Sequence, residues 1–415
     1  MVEEDLALRP FGQDYPDSKR LRSQIYPALI CVSLFVIFVA KFIYDGRRPQ
    51  GRHLEYNLIW LAANYFQFGA MRRALVGSVI YVSGVDLVTA AYLLYGISFF
   101  LVLLFAYVFL RRISQAGGAL LPFALILGAL LLFWSEDVGR TDILVAAILL
   151  AAALALIDGR VVLASLCLAI GFQIHEVTAI YGLPLAAALL LQGSRYKQYR
   201  SAAGAIASLI LIGGILFYAA VSFLPRASDH FIAETIRLRL PVNYPFDSMT
   251  SRFAMFAMLG GIRAAVDSVC LVSHNIQHYT KPFIALLMVA LAGASMSAGA
   301  RLRWVPAVIA TVPPIVFLWL TASDMGRWVA LAILNVWILC ASSDFEPVRG
   351  VKRWAWVRAA GAAAIIPLLF PLTIPIHFFI AYPSPLIEGG IEKLIGHPAM
   401  RTFDECDPTW RASLS

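Results

Sequence analysis

Three short stretches of this 415-residue chain hold side chains able to do chemistry. FQFGAMRRALVG (66–77) sets Arg72 and Arg73 in apolar surroundings, with Gly69 and Gly77 four positions either side of Arg73. On a helix those three positions share a face. Glycines there let a bulky anion approach, and a guanidinium fork matches phosphate oxygens. Arginines so placed also snorkel to lipid phosphates, and both readings are open at this point.

The second stretch, SEDVGRTD (135–142), packs Glu136, Asp137, Arg140 and Asp142 between two apolar runs. If it is helical, Glu136 and Arg140 pair at i,i+4 and a carboxylate such as Asp137 is left over. A spare acid beside arginines suits a general base; a solvated turn with internal ion pairs is the plainer alternative. The third, FQIHEVTAIYGLPL (172–185), interrupts an apolar run with His175 and Glu176. Position 179 is Ala, so this is not the HExxH zinc motif. A histidine and an acid at the end of a membrane helix are a functional hypothesis, against a structural role for a lone histidine.

Other ionisable residues lie nearby in the pattern. Asp324 and Arg327 in SDMGRW (323–328) suit an i,i+3 pair at a helix start. The segment 225–281 carries Arg226, His230, Glu234, Arg237, Arg239, Arg252 and Arg263 on an amphipathic background, the pattern of a lid or substrate platform.

Elements able to hold these groups follow from composition. Hydrophobic residues make up 60% of the chain and charged ones 14%, far from a soluble domain. The expected fold class is all-α, a polytopic transmembrane helical bundle, because a helix satisfies its own backbone hydrogen bonds in lipid. Apolar segments at 25–44, 88–110, 117–135, 142–158, 161–174, 177–192, 203–224, 282–299, 304–322, 327–341 and 359–380 give eleven expected spans. The first is too long for a signal-peptide core and reads as a retained helix. The whole of 1–415 reads as one integral membrane domain.

Charge sets the expected orientation. With the N-terminal tail 1–24 cytoplasmic, the inside loops hold Arg111-Arg112, Asp158-Gly159-Arg160, 193–200, 301–303 and 348–358, nearly all basic. The outer face then receives an interfacial segment 45–87, the turn 135–142, His175-Glu176, the loop 225–281, residues 323–328 and the tail 381–415. The net charge of +8 is taken up largely by those basic loops, so nucleic acid is not an expected partner. Five scattered cysteines form no C-x-x-C, which argues against a zinc or redox motif. No cofactor is expected, and the spacing does not indicate a divalent metal.

Two resemblances attach to these residues. The run 139–191 looks like the central part of EpsG- and Wzy-type polysaccharide polymerases, in which an arginine opens one span and a histidine follows at the outer end of the next; Arg140 and His175 stand at those positions. The arrangement from the first span to the second resembles the GT-C glycosyltransferase superfamily. There an outer acid after the first helix is the catalytic base, which implies Asp45 or Glu55 here. Both resemblances imply transfer of a sugar from a polyprenyl-linked donor to a glycan acceptor at the outer face of the plasma membrane, with membrane lipids as surroundings. Arg72, Arg73, Arg237, Arg239 and Arg327 are then candidates for holding the donor phosphate, and Asp45, Glu55, Asp137, Arg140, His175 and Glu176 for catalysis. A transporter or flippase for a lipid-linked or anionic solute would use the same arginines; it ranks second because the span interiors are poor in charge. The orientation is directly testable: reporters fused after Gly193 or Arg301 should read cytoplasmic, and one after Ser415 should read external.

Overall fold

A computed structural model describes residues 17–46, 51–71, 73–134, 138–192, 202–221, 226–246, 251, 254–255, 258–259, 286–287, 289–296, 304–321 and 325–343. Among these it is all-helical, with one isolated β-bridge between Gly69 and Arg226. In chain order the helices used below are α1 (Asp17–Gly46), α2 (Gly51–Ala62), α3 (Tyr65–Phe68), α4 (Ala74–Ser83), α5 (Leu87–Gln115), α6 (Leu120–Trp134) and α7 (Asp142–Ile157). They continue with α8 (Val161–Ile174), α9 (Val177–Gln192), α10 (Ala202–Val221), α11 (Asp229–Arg239), α12 (Trp304–Thr321) and α13 (Met325–Ala341). The expected span 359–380 lies outside the described residues, and the described part of 282–299 is helical.

Two of the described helices are long and apolar enough to cross a membrane, over Ser23–Ala40 and Leu87–Gln115. Apolar side chains face outward on these and other helices, among them Val32 and Val36 of α1, Leu209 and Leu216 of α10, and Val305 of α12. Such broad exposed apolar faces mark a surface meant for something other than water.

Helix α13 is the centre of the body. Every residue from Trp328 to Ala341 is buried, so the helix is enclosed on all sides. Its polar side chains go to backbone carbonyls of its neighbours. Trp337 Nε1 donates to the Phe123 carbonyl of α6 at 2.9 Å. The Asn335 amide donates to the Ala310 carbonyl of α12 at 2.9 Å and to the Tyr181 carbonyl of α9 at 3.1 Å. The choice of carbonyls has a cause. Pro314 has no N–H to give Ala310 four residues back, and Pro184 interrupts the same turn of α9 that contains Tyr181. Asn335 supplies the donor that Pro314 takes away from Ala310 and adds a second bond, to Tyr181.

A second apolar cluster sits on one end of this bundle. Leu58, Ile59 and Leu61 of α2, Phe68 of α3, Ala74 and Ile80 of α4, Leu87 and Ala91 of α5, and Ile232 and Ile236 of α11 form its interior. Its elements are sharply capped. The Asp86 carboxylate accepts the Thr89 N–H at 2.9 Å to start α5, and hydrogen bonds from the Thr89 hydroxyl and then from that N–H hold its carboxyl below the ordinary range. Asn64 accepts the Gln67 N–H at 2.8 Å to start α3, and Ser228 accepts the Phe231 N–H at 3.3 Å to start α11.

The expectation of one continuous helical face through Gly69, Arg73 and Gly77 is corrected here. Gly69 ends α3 with φ 74° and ψ −140°, and Arg73 precedes α4 with φ 58°. The chain therefore breaks between the glycines, and helical spacing does not relate them. Gly77 serves packing instead: a Cβ there would lie 1.8 Å from the Ala63 carbonyl oxygen, because α4 crosses the end of α2 backbone to backbone.

Replacing Asn335 with Leu keeps the branching at Cγ and removes both donors. The variant should lose about 1–2 kcal/mol of stability, from two interhelical hydrogen bonds of under about 1 kcal/mol each in an apolar setting. An unchanged thermal midpoint in detergent would contradict that role.

Candidate functional site

The two apolar clusters meet at a seam, and three connectors bring their polar residues to it. The first is the break before α4. Arg73 is the one non-glycine residue with positive φ among the described residues, in a left-handed conformation that costs a non-glycine residue about 1–2 kcal/mol. Such strain persists only where surrounding contacts over-determine it. Here its guanidinium lies 4.4 Å from the Trp60 ring centroid, and its Nε and Nη2 both donate to the Glu176 carboxylate, Nε at 2.7 Å from Oε2. This fork joins residues 103 positions apart in the chain.

The second connector is the turn before α7. Asn57 Nδ2 donates to the Val138 carbonyl at 2.7 Å and ties the turn to α2. Gly139 has φ 83°, and a Cβ there would sit 3.0 Å from the Ala91 Cβ. Only glycine satisfies both the bend and the close approach. The turn buries Arg140 to 5% exposure and Asp142 to 2%. A helix through 136–140 would have paired Glu136 with Arg140; residues 138–140 form a turn instead, and Glu136 and Asp137 lie outside the described residues.

The third connector is the step from α8 to α9. His175 closes α8 with extended backbone, φ −161° and ψ 128°, which turns the chain directly into the next helix. The Val177 N–H donates to His175 Nδ1 at 3.2 Å, so the imidazole caps the start of α9 and the neutral ring has its proton on Nε2. Its ring is 1% exposed and stands edge-on to Trp328, centroids 6.1 Å apart. Glu176 Oε2 lies 3.5 Å from the same Nδ1, longer than the Val177 contact.

Together these connectors line one open pocket of about 380 Å³, counting its mouth: Asn57, Trp60, Leu61, Arg73, Val76, Gly139, Arg140, Thr141 and His175. The lining holds two guanidinium groups and an imidazole and, among the described residues, no carboxylate. Glu176 grips Arg73 at the wall. The arrangement suits an anion: donors fixed by buried backbone, an aromatic face and a low-dielectric surround that strengthens electrostatic contacts.

Of the residues singled out from sequence, Arg73, Arg140, His175 and Glu176 therefore come together. Arg237 and Arg239 do not line the pocket. Arg237 is exposed, 4.0 Å from Glu234 and 5.7 Å from the Phe246 ring centroid. Arg239 Nη1 donates to the Ala62 carbonyl at 2.5 Å, closing the C-terminus of α2, and its guanidinium lies over Tyr81. Burial lowers its pKa from the ordinary arginine range. Asp45 ends α1, Glu55 lies within α2 and Arg327 lies in the first turn of α13; their side chains, like Arg72 as a whole, are outside the described residues. Asn57, Trp60 and Thr141 were not foreseen as site residues. Asn57 had one faint signal, an amide within the otherwise apolar run LIWLAA and its preceding turn.

No known protein family, curated protein or solved structure matches the chain. Among the described residues no group of three or more His, Cys, Asp or Glu is placed to hold a metal ion. Gly139→Ala should strain the left-handed turn and press on Ala91, lowering stability by about 1–2 kcal/mol and displacing Arg140. A wild-type melting curve for that variant would show that the turn is not held as described.

Proposed function

We propose that this protein is a membrane glycosyltransferase or polysaccharide polymerase. It transfers sugar from a polyprenyl-(pyro)phosphate-linked donor to a glycan acceptor at the outer face of the plasma membrane, in exopolysaccharide or O-antigen-type assembly. The observation that carries this reading is the convergence of Arg73, Arg140 and His175, from three separate connectors, on one pocket with Glu176 at its edge.

Location supports it. Helices α6 to α9 have 15, 16, 14 and 16 residues and each has one end near the pocket. At 1.5 Å per residue they are about 21–24 Å long, shorter than a hydrocarbon core of about 30 Å. Helices this short would set a pocket at their ends at or just inside the boundary of the hydrocarbon, within reach of a lipid-linked pyrophosphate whose tail stays among the acyl chains.

The chemistry balances with residues at hand. The acceptor hydroxyl oxygen forms a bond to the anomeric carbon, and the bond from that carbon to the phosphate oxygen breaks with its electron pair. Arg73 and Arg140 stabilise the negative charge that develops on the departing phosphate. The hydroxyl proton passes to a carboxylate, for which Glu176, paired with the lining residue Arg73, is the candidate. The buried segment Trp328–Ala341 of α13 carries no charged side chain, which favours transfer over transport.

The test is transfer of radiolabel from a polyprenyl-pyrophosphate-linked glycan by the purified chain in lipid nanodiscs. Arg140→Lys keeps the charge and loses the planar fork, so turnover should fall about a hundredfold at unchanged melting temperature. Full turnover in that variant would remove Arg140 from phosphate stabilisation, and uptake into vesicles without transfer would support the transporter.

A further inference from the structure

The Arg73–Glu176 pair has a geometry that bears on how the pocket fills. Both Nε and Nη2 of Arg73 point at one carboxylate, the side-by-side donation that a guanidinium also offers to two phosphoryl oxygens. We propose that Glu176 occupies, on Arg73, the place a ligand's phosphoryl oxygens take, so that loading the pocket is an exchange of one anion for another. This rests on the reading of the pocket as a phosphate site and adds to it a built-in competitor.

Three further features fit exchange rather than a permanent structural pair. The first is access: the Arg73 and Glu176 side chains are 20% and 25% exposed, whereas Arg140 and His175 are buried. The second is that Arg73 does not depend on Glu176 alone for its position. Trp60 lies against its guanidinium at 4.4 Å, and a cation over an indole face is held whichever anion sits at its edge. The third is a resting place for the released acid. Glu176 immediately precedes α9, a helix of 16 residues whose N-terminal dipole favours a carboxylate.

Exchange also has a chemical consequence. While paired with Arg73, the carboxylate is a poor base, because two donated hydrogen bonds stabilise its charged form. Arrival of the donor phosphate releases it next to the reacting carbon, where it can take the acceptor's hydroxyl proton. Base activation is thereby tied to donor binding, and an empty pocket stays electrostatically quiet.

The experiment uses the full chain in detergent with inorganic pyrophosphate as probe, followed by calorimetry. Glu176→Gln removes the competing charge, and pyrophosphate should bind about five- to tenfold more tightly than to wild type, the scale of one partly exposed ion pair. In nanodiscs the same variant should transfer sugar more slowly. Arg73→Lys should lose most binding in either background. A structural pair predicts the reverse for Glu176→Gln, with lower stability and equal or weaker binding, and that result overturns the proposal. Should Glu176→Gln not fold, Glu176→Asp decides, since it retains charge but loosens the fork: tighter binding than wild type supports exchange, and equal binding overturns it. If wild type transfers sugar yet neither variant gains affinity, only the exchange fails. If the variants gain affinity and no sugar is transferred, exchange stands and the transferase reading fails. If no form binds pyrophosphate and no sugar is transferred, both fall.

Discussion

A backbone carbonyl inside an apolar body must find a donor, and this need organises the bundle around α13. Prolines in α9 and α12 disturb or remove helical donors, which in lipid or in a dry interior costs more than in water. Side chains of one helix supply donors to carbonyls of another, and at Ala310 this replaces the N–H that Pro314 lacks. Asn335 serves Ala310 and Tyr181, the Tyr181 hydroxyl donates to the Trp328 carbonyl at 2.7 Å, and Gln192 Nε2 donates to Leu339 at 3.1 Å. Each bond joins α13 to a partner at a defined height. Apolar packing alone tolerates sliding; a donor aimed at one carbonyl does not.

The site inherits that register. Tyr181 and Trp328 are linked by a hydrogen bond, and His175, less than two turns before Tyr181 in the chain, meets the Trp328 ring. The start of α9 is thus held against the start of α13, and Glu176 is presented at the rim. The opposite half is supplied by the smaller apolar cluster, whose α2 reaches the bundle through Asn57 and whose Arg73 reaches it through Glu176. Gly77 permits α4 to lie on the end of α2 closely enough for Arg73 to point inward. Two glycines, one asparagine and one strained arginine therefore do for this pocket what a rigid loop scaffold does elsewhere.

Cations gathered in a low-dielectric seam are costly unless countered, and the pocket meets that cost differently at its two arginines. Arg140 is buried to 5% exposure, whereas Arg73 is paired with an acid from a distant segment, and that pair remains partly open to its surroundings. A buried arginine suits permanent stabilisation of charge, and a half-open ion pair suits replacement of one partner. Under the proposed transfer reaction, the division would suit a donor whose phosphate is bound, used and released.

The all-helical class was legible in the sequence because it follows from local rules. Apolar runs bounded by Gly, Pro and charged residues form helices whatever surrounds them, and 142–157, 161–174 and 177–192 appear as helices at nearly the limits the apolar pattern sets. The ionisable residues at helix ends were equally visible as exceptions to an apolar background, which is how Arg73, Arg140, His175 and Glu176 drew notice. Their partners were not visible. Nothing local couples Arg73 to an acid 103 residues away, sends Arg239 to the end of α2, or assigns Gly77 to backbone packing. Helical spacing even suggested a false face through Gly69, Arg73 and Gly77, because a break with positive φ at Arg73 is stabilised by contacts that exist only after folding. Sequence periodicity determines which residues can be at a helix end. Which ends meet depends on helix register, and register was decided by hydrogen bonds and close packing between segments far apart in the chain.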